Sequence, residues 1–242
     1  MVTSYICFDL ETTGLSPDND EIIEIGAVKV IHGKITDRFS RFVKPDHPIP
    51  PLAESITGIS NAMVEDAGPT DRIIYDFLEF CESYPLIGHN LMFDYRFTRR
   101  YAKKYYMNFE KDGLDTLKIA RKLLPELPSK SLESLAAHYG IVNPSAHRAY
   151  ADALTTAKLY QTLKHYFGED HPEQFQAQRL LVKDKKVQPA TKRQKEYLNE
   201  LIKYHKISVS GNTDELTRSE ASRLIDKIIL QHGRMADGGK RF

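Results

Sequence analysis

The sequence predicts an α/β domain with a mixed sheet, followed by a small helical module. Three strand-like runs come first, at SYICFDL, EIIEIGAVKVI and ITDRFSRFVKP, and they are rich in β-branched and aromatic residues. Short apolar strands at PLIGH and GLD then alternate with segments of 3.6-residue periodicity. Strands that first follow one another and then alternate with helices are typical of a mixed sheet covered by helices.

The predicted helices follow the proline-rich loop PDHPIPP. Helical periodicity runs through TDRIIYDFLEFCESY, LMFDYRFTRRYAKKYY, TLKIARKLL and SLESLAAHY. The longest helix, YADALTTAKLYQTLKHYF, ends before Gly168, and glycine is a common residue where helices stop. These elements predict a first domain over residues 1–168.

The rest of the chain differs from this domain in charge. Residues 1–175 hold 19 Lys and Arg against 25 Asp and Glu, whereas residues 176–242 hold 15 against 8. We expect a polar linker over residues 169–188, a helical module over 189–232 and a disordered tail over 233–242.

The helical module has two predicted helix starts and a basic surface. Thr191 with Gln194, and Thr217 with Glu220, have the spacing of capping boxes. Basic residues interleaved with Tyr197 and Tyr204 suit single-stranded nucleic acid, through phosphate attraction and base stacking. The alternative is a solvated helix pair whose tyrosines, Tyr197 and Tyr204, form a small core. The cations are Lys183, Lys185, Lys186, Lys192, Arg193, Lys195, Lys203 and Lys206.

Composition narrows the class of protein. Apolar residues make up 41% of the 242 residues and charged residues 28%, as in globular proteins. The first residues lack a basic leader with an apolar segment, and no run approaches the roughly 18 apolar residues of a membrane span. We therefore expect a cytoplasmic protein without a membrane partner. Cys7 and Cys81 lie outside metal or redox spacings and are expected to be reduced core residues.

Two like charges stand at the end of the first apolar strand, in FDLETTGL. Side chains alternate along a strand, so Asp9 and Glu11 point to one side and Phe8 and Leu10 to the other. Such a pair of carboxylates repels unless a cation neutralises it, and divalent metals prefer oxygen ligands. About one Asp-x-Glu is expected by chance in a chain of this length, so the pair alone is weak evidence.

Two further acids strengthen the prediction of a metal site. Asp94 lies in the first turns of the helix after PLIGH, where an acid also complements the helix dipole. Asp152 lies at the edge of the apolar sector of the longest helix, and an uncompensated carboxylate there costs several kcal/mol. His147 precedes Asp152 by five residues, which would separate the two by about 140° on one helix. We therefore expect His147 on the preceding loop, above whatever Asp152 binds.

FDLETTGL, GHNLMFD and HRAYADA, in this order, resemble the three sequence motifs of the DEDDh 3′-to-5′ exonucleases. The likeness is greatest to the proofreading epsilon subunit of bacterial DNA polymerase III and to the exonuclease region of the Gram-positive replicative polymerase. It covers roughly residues 3–167 and includes all four acids and the histidine. The resemblance implies an RNase H-like fold, a five-stranded mixed sheet flanked by helices.

The family resemblance also implies a catalytic set. Asp9, Glu11 and Asp152 would hold one divalent ion, and Asp9 with Asp94 a second, with Mg²⁺ as the natural ion and Mn²⁺ as a substitute. Two such ions stabilise the attacking and leaving oxygens of an in-line phosphodiester displacement. His147 would be the general base that takes a proton from the attacking water.

Further residues are implied at the substrate. Thr12 and Leu15, in the turn Thr12, Thr13, Gly14, Leu15, would contact the terminal nucleotide. His89 and Asn90 either line the same cleft or form a hydrogen-bonded pair at the end of the strand.

The sequence thus predicts a metal-dependent 3′-to-5′ exonuclease that acts on single-stranded or frayed ends in proofreading or repair. DNA is favoured over RNA, and a DNA polymerase is the expected protein partner. The alternatives are an exoribonuclease that trims RNA 3′ ends, and a catalytically idle subunit that binds nucleic acid or docks on a polymerase.

Overall fold

Six strands form one mixed sheet in the order β3-β2-β1-β4-β5-β6. The structure, a computed structural model, describes residues 1–143, 145–182, 188–209 and 212–235. The strands are β1 (Tyr5–Thr12), β2 (Ile22–Ile31), β3 (Lys34–Phe42), β4 (Leu86–Gly88), β5 (Asp112–Asp115) and β6 (Gln178–Arg179). The β1–β2, β2–β3 and β5–β6 pairs are antiparallel, whereas β1–β4 and β4–β5 are parallel. The predicted mixed sheet is confirmed.

Helices connect and cover these strands. Those of the first part of the chain are α1 (Pro51–Thr57), α2 (Asn61–Val64), α3 (Thr70–Cys81), α4 (Met92–Lys104), α5 (Thr116–Leu123), α6 (Leu132–His138) and α7 (Ala149–Phe167). Two further helices, α8 (Lys192–His205) and α9 (Arg218–His232), follow. Each helix that the periodicity predicts is present, with ends that differ by a few residues, and α1 and α2 are additional short helices.

The sheet has six strands where the family resemblance implies five. The additional strand is β6, in which Gln178 and Arg179 pair with Gly113 and Asp112 at the edge of the sheet. Both residues of β6 are exposed and polar. A strand of two exposed residues is too short to show a hydrophobic alternation in the sequence.

Each face of the sheet has its own apolar core. Ile6, Phe8 and Leu10 of β1 pack on the side of α3 and α4, with Phe77 and Phe97. The alternate residues Tyr5 and Cys7 pack on the other side, with residues of α5, α6 and α7 that include Ile119, Leu135, Leu159 and Tyr160. The alternation predicted for β1 is therefore present. Cys7 and Cys81 are both free and buried.

The chain divides into two compact units, Met1–Val182 and Lys183–Phe242. The linker expected over residues 169–188 needs correction, because residues 169–182 belong to the first unit. Phe175 is fully buried beside Tyr160, and its carbonyl accepts a hydrogen bond from the Val2 amide at 3.1 Å. One buried aromatic in a polar stretch leaves no compositional signal. Residues 183–187 lie outside the described residues.

The second unit is built around α8 and α9. Leu198, Leu201 and Ile228 are buried between them, Tyr197 packs partly on this core, and Tyr204 is 49% exposed. Both predicted capping boxes are present. The main-chain amides of Gln194 and Glu220 each donate a hydrogen bond at 3.2 Å, to Thr191 Oγ1 and Thr217 Oγ1 respectively. In return, the side chains of Gln194 and Glu220 accept hydrogen bonds from the main-chain amides of the two threonines. Of the expected tail, residues 236–242 lie outside the described residues.

Hydropathy separates these helices from membrane spans. Among the residues described, no helix is both long and apolar enough to cross a membrane.

Candidate active site

The site begins where β1 ends. Asp9 is mostly buried and Glu11 is 9% exposed, and both lie on the face of β1 opposite Phe8 and Leu10. The Leu10 amide, between the two acids, donates a hydrogen bond to Asp94 Oδ1 at 3.1 Å. Main-chain geometry thus places a third carboxylate beside the first two.

Asp94 reaches this position because β1 and β4 are parallel neighbours. The carboxyl ends of parallel strands meet at one edge of the sheet, and β4 continues there through His89 and Asn90 into α4. Asp94 lies in the first turn of α4 and is 3% exposed.

Asp152 and His147 approach the same edge from α7. Asp152 lies in the first turn of this helix, and His147 is on the loop before it, as predicted. The Asp152 carboxylate accepts hydrogen bonds from Asn143 Nδ2 at 2.6 Å and from the His147 amide at 2.9 Å. His147 is exposed, and its φ of 61° is in the left-handed region. The metal-ligating atoms of Glu11, His147 and Asp152 all lie within 4.8 Å of one another.

One cleft of about 300 Å³ brings the predicted acids and the histidine together. Phe93 and Asn143 also line it. The predicted residues that line this cleft are Asp9, Glu11, His89, Asn90, Asp94, His147 and Asp152.

The four carboxyl groups destabilise one another in their charged forms. Burial, followed by the charges of Asp94 and Glu11, raises the pKa of Asp9 well above its ordinary value. Burial, followed by Asp152 and Glu24, raises the pKa of Glu11 to about 8. Burial likewise raises the pKa of Asp94 and of Asp152. Carboxylates crowded in this way are the oxygen donor set that Mg²⁺ and Mn²⁺ prefer, so the chemistry of the cleft fits divalent cations.

Sequence reasoning missed the role of Glu24, which lies opposite Glu11 in the β1–β2 pair and is 2% exposed. Its carboxylate accepts hydrogen bonds from Arg148 Nη2 at 2.8 Å, Arg148 Nε at 3.2 Å and the Ala149 amide at 3.1 Å. A single acid thus holds the first residues of α7, directly after His147. An acid within the apolar run EIIEIGAV was the signal available in the sequence.

Gly26 supports the same contact by leaving room for it. The register pairs Gly26 with Asp9, and a Cβ at Gly26 would lie 2.0 Å from the Tyr150 amide nitrogen and 2.1 Å from the Ala149 carbonyl carbon. The main chain of α7 therefore lies directly against β2, and this fixes the distance between the acids of β1 and Asp152.

Glu24→Gln is expected to lower kcat for nucleic-acid hydrolysis by about tenfold or more, with a smaller change in KM. Gln keeps the shape but cannot accept all three hydrogen bonds, so the start of α7 and the His147 loop lose their fixed position. Steady-state kinetics on a 3′-labelled oligonucleotide give kcat and KM. The matched control is Glu82→Gln, which removes a surface ion pair with Lys29. An unchanged kcat in Glu24→Gln would contradict this positioning role.

The last residue of β1, Thr12, leads into a turn with Thr13, Gly14 and Leu15, and none of these four is among the residues lining the cleft. Thr12 Oγ1 donates to the Gly14 carbonyl at 2.6 Å, and Thr13 Oγ1 accepts from the Glu21 amide at 2.9 Å. Both hydroxyl groups therefore stabilise the turn. Leu15 is 85% exposed beyond it.

His89 lines the cleft, but its ring is held by the protein. Its Nδ1 lies 2.9 Å from Thr116 Oγ1 and its Nε2 lies 2.8 Å from the Lys130 carbonyl oxygen. Burial lowers the pKa of His89, which favours the neutral ring. The main-chain amide of Asn90 donates a hydrogen bond to Asp115 Oδ1 at 2.9 Å. The two residues thus line the cleft and also form hydrogen bonds at the strand end, with other residues rather than with each other.

A mixed sheet with four carboxyl groups and a histidine at the carboxyl ends of its central strands defines a class of hydrolytic nuclease. Comparison with known families agrees. The model of the RNase T family, described as exonuclease, matches residues 6–160, and the chain belongs to this family. The predicted membership of the DEDDh exonucleases is confirmed, and so is the prediction of a nuclease.

The curated relatives that the chain resembles include proteins named as DNA polymerase III. Over 156 residues the chain is 42% identical to the DNA polymerase III PolC-type of Caldanaerobacter subterraneus subsp. tengcongensis, a match that covers 64% of this chain and 11% of the relative. Over 158 residues it is 36% identical to the DNA polymerase III subunit epsilon of Aquifex aeolicus, covering 65% of this chain and 78% of that subunit. The chain therefore spans only a small part of the PolC-type relatives.

Solved structures with this fold include two exonucleases in complex with DNA. Exonuclease X in complex with 5′ overhanging duplex DNA is 32% identical, with a TM-score of 0.55 over 68% of this chain and 93% of that chain. Escherichia coli exonuclease I with a dT13 oligonucleotide has a TM-score of 0.65 over 72% of this chain and 44% of that chain. The second match, at 22% identity, shows the fold alone.

Proposed function

We propose that this protein is a metal-dependent 3′-to-5′ exonuclease that releases nucleoside monophosphates from single-stranded or frayed DNA ends. The observation that carries the proposal is the single cleft in which Asp9, Glu11, Asp94, Asp152 and His147 meet. Asp9, Glu11 and Asp152 would hold one divalent cation, and Asp9 with Asp94 a second, with Mn²⁺ able to replace Mg²⁺. When bound, the two cations supply electrostatic stabilisation of the attacking and leaving oxygens.

His147 is the proposed general base. Its ring nitrogen lies within 4.8 Å of carboxylate oxygens of Glu11 and Asp152, and its exposed position gives water access. An imidazole accepts a proton near neutral pH, so the ring can take one from the attacking water. The Asp152 carboxylate orients the loop through the His147 amide.

The end of β1 and the turn that follows it are proposed to bind the terminal nucleotide. Leu15 offers an apolar side chain to the last bases, and the main chain at Thr12 offers hydrogen bonds to the 3′ hydroxyl. A Cβ at Gly14 would lie 2.5 Å from Asp20 Cγ, so a larger residue would displace the Asp20 side chain, which accepts a hydrogen bond from the Ser16 amide. Asn90 and the ring of His89 form the neighbouring wall of the cleft.

Proofreading or repair is the proposed role, with a DNA polymerase as the protein partner. The relatives support this role because they are named as polymerase III proteins, and exonuclease X is named in complex with DNA. The compartment that such a role requires is the one that holds the DNA, which is the cytoplasm in a bacterium.

Digestion of matched DNA and RNA strands tests the proposal. With Mg²⁺, we expect a 3′ label to be released at once as a mononucleotide, and a 5′ label to shorten stepwise. EDTA should stop both reactions. Faster digestion of RNA would favour the exoribonuclease instead, and binding without digestion would favour the idle subunit.

The module of residues 189–232 is proposed to add affinity for long single strands. Deletion of residues 183–242, which removes the second unit, is expected to weaken binding. The slope of log K against the logarithm of the salt concentration should become shallower by about 0.7 for each phosphate that the module binds. The first unit retains its own two-sided core. Fluorescence anisotropy at several salt concentrations measures both quantities, with cleavage of a dinucleotide as the control. An unchanged affinity for long strands would reject this role.

A further inference from the structure

A second groove, of about 600 Å³, adjoins the catalytic cleft. His89 and Asn90 line the cleft, and the next two residues, Leu91 and Met92, line this groove. We name it the α4–α5 groove, defined by Leu91, Met92, Arg96, Lys118, Gln176 and Gln178. All of its residues belong to the first unit.

Two cations of this groove have no partner among the residues that the structure describes. Arg96 lies in the second turn of α4 and Lys118 in the first turn of α5, and both are exposed. Within the described part of the chain, neither side chain forms an ion pair or a hydrogen bond. Exposed cations that converge on one groove suit an anionic ligand.

Arg96 belongs to a basic face of α4. At about 100° per residue, Arg96 lies about 60° from Phe93, which lines the cleft, so the two faces adjoin. The only acid of α4, Asp94, is buried toward the cleft. The cations of this helix are Arg96, Arg99, Arg100, Lys103 and Lys104. This density of positive charge is unexpected in the first 175 residues, where acids outnumber bases.

The other charged groups of the groove are two carboxylates, Asp115 and Glu173, and one arginine that is already paired. Asp115 Oδ1 accepts the amides of Asn90 and Leu117 at 2.9 and 3.0 Å, at the start of α5. Arg179 pairs with Glu110, and Glu173 accepts from Gln174 Nε2 at 2.9 Å. The groups left for a ligand are therefore Arg96 and Lys118, with the side-chain amides of Gln176 and Gln178 as neutral donors.

We propose that the α4–α5 groove binds the phosphodiester backbone of the substrate strand upstream of the nucleotide held in the cleft. Arg96 and Lys118 are the phosphate ligands, and the strand passes over the main chain at Asn90 and Leu91 to reach them. This inference rests on the proposed function, since it assigns the next part of the same substrate.

The test compares two substrates in which water attacks the same group, the 5′-phosphoryl group of a thymidine nucleotide, but which differ in the leaving group and in upstream phosphates. The difference in leaving group affects the wild type and the variant alike, so it cancels when the two proteins are compared. One is oligo-dT twelve nucleotides long, and the other is the p-nitrophenyl ester of thymidine 5′-monophosphate, which has no upstream phosphate. In the variant Arg96→Ala/Lys118→Ala, the ratio of kcat/KM for oligo-dT to kcat/KM for the ester is expected to fall by about ten- to a hundredfold. For oligo-dT binding, the slope of log K against the logarithm of the salt concentration should become shallower by about 1.4, because two phosphate contacts are lost.

The matched control is Arg38→Ala/Lys158→Ala, which removes one exposed Arg and one exposed Lys elsewhere on the first unit. A decrease of the same size in the control, or an equal decrease on both substrates, would overturn the proposal. If the wild-type protein hydrolyses neither substrate, the proposed function is wrong. The role of the groove is then tested by fluorescence anisotropy, which measures the affinity for oligo-dT. Equal affinity of the wild type and the double variant would exclude the groove as a binding site.

Discussion

Asp9→Asn is expected to abolish hydrolysis and, at the same time, to stabilise the metal-free protein. Asp9 is the acid shared by both proposed cation sites, so the loss of its charge should lower kcat by about three orders of magnitude or more. In the absence of metal, the Asp9 carboxylate is crowded by Asp94, Glu11 and Asp152, and Asn relieves this repulsion.

Two measurements on one variant check this prediction. Mononucleotide release in Mg²⁺ gives the activity, and thermal unfolding in EDTA near pH 8 gives the stability. We expect the Tm in EDTA to rise by about 2–4 °C for each kcal/mol of repulsion removed. Asp37→Asn, on the exposed strand β3, is the matched control. If the Asn variant is no more stable than the wild type without metal, the inferred repulsion is wrong.

The same crowding predicts how stability depends on pH. A carboxyl group with a raised pKa in the folded state binds its proton more tightly when folded than when unfolded, so it favours folding below its ordinary pKa of about 4. This contribution is lost as the pH rises through the folded-state value, which is about 8 for Glu11. The wild-type protein in EDTA should thus lose stability between about pH 4 and pH 8. Mg²⁺ should restore it at the upper end, and a Tm in EDTA that stays level over this range would contradict the prediction.

Local rules predict much of the fold from the sequence. The alternation along β1 correctly separates Phe8 and Leu10 from the acids, and the hydroxyl-to-Gln or hydroxyl-to-Glu spacing correctly predicts the starts of α8 and α9. The helical angle between His147 and Asp152 correctly excludes the histidine from α7. Each of these inferences depends only on residues a few positions apart.

Features fixed by distant partners could not be predicted in this way. Glu24 is 124 residues from Arg148, and only the β1–β2 pairing and the close approach of α7 at Gly26 bring the two together. The β6 strand and the buried Phe175 extend the first unit past Gly168 for the same reason, since their contacts are to β5 and to the start of the chain. Tertiary contacts of this kind determine which residues hold the acids of the site in place. The acids themselves can be recognised in the sequence, because they occur in local motifs.

His147→Asn is expected to lower kcat by about two to four orders of magnitude, with little effect on strand binding. The structure favours Asn over Ala as the first substitution. His147 has a φ of 61°, and Asn tolerates the left-handed region better than other residues with a Cβ, so the loop should keep its hydrogen bond to Asp152. Because His147 is exposed, the removal of its ring should cost little stability.

Comparison of His147→Asn with His147→Ala distinguishes a role of His147 as the general base from a role in the conformation of its loop. If the imidazole is the general base, both variants lose activity to a similar extent, and added imidazole restores part of it. Binding is measured with a strand whose terminal linkage is a phosphorothioate, which resists cleavage. Activity retained by Asn but abolished in Ala would assign His147 a role in loop conformation instead, and near-normal turnover in both would exclude it as the base. In that case the role of the loop is structural, and Asp152 links it to the cleft through the main-chain amide of His147 and the side-chain amide of Asn143.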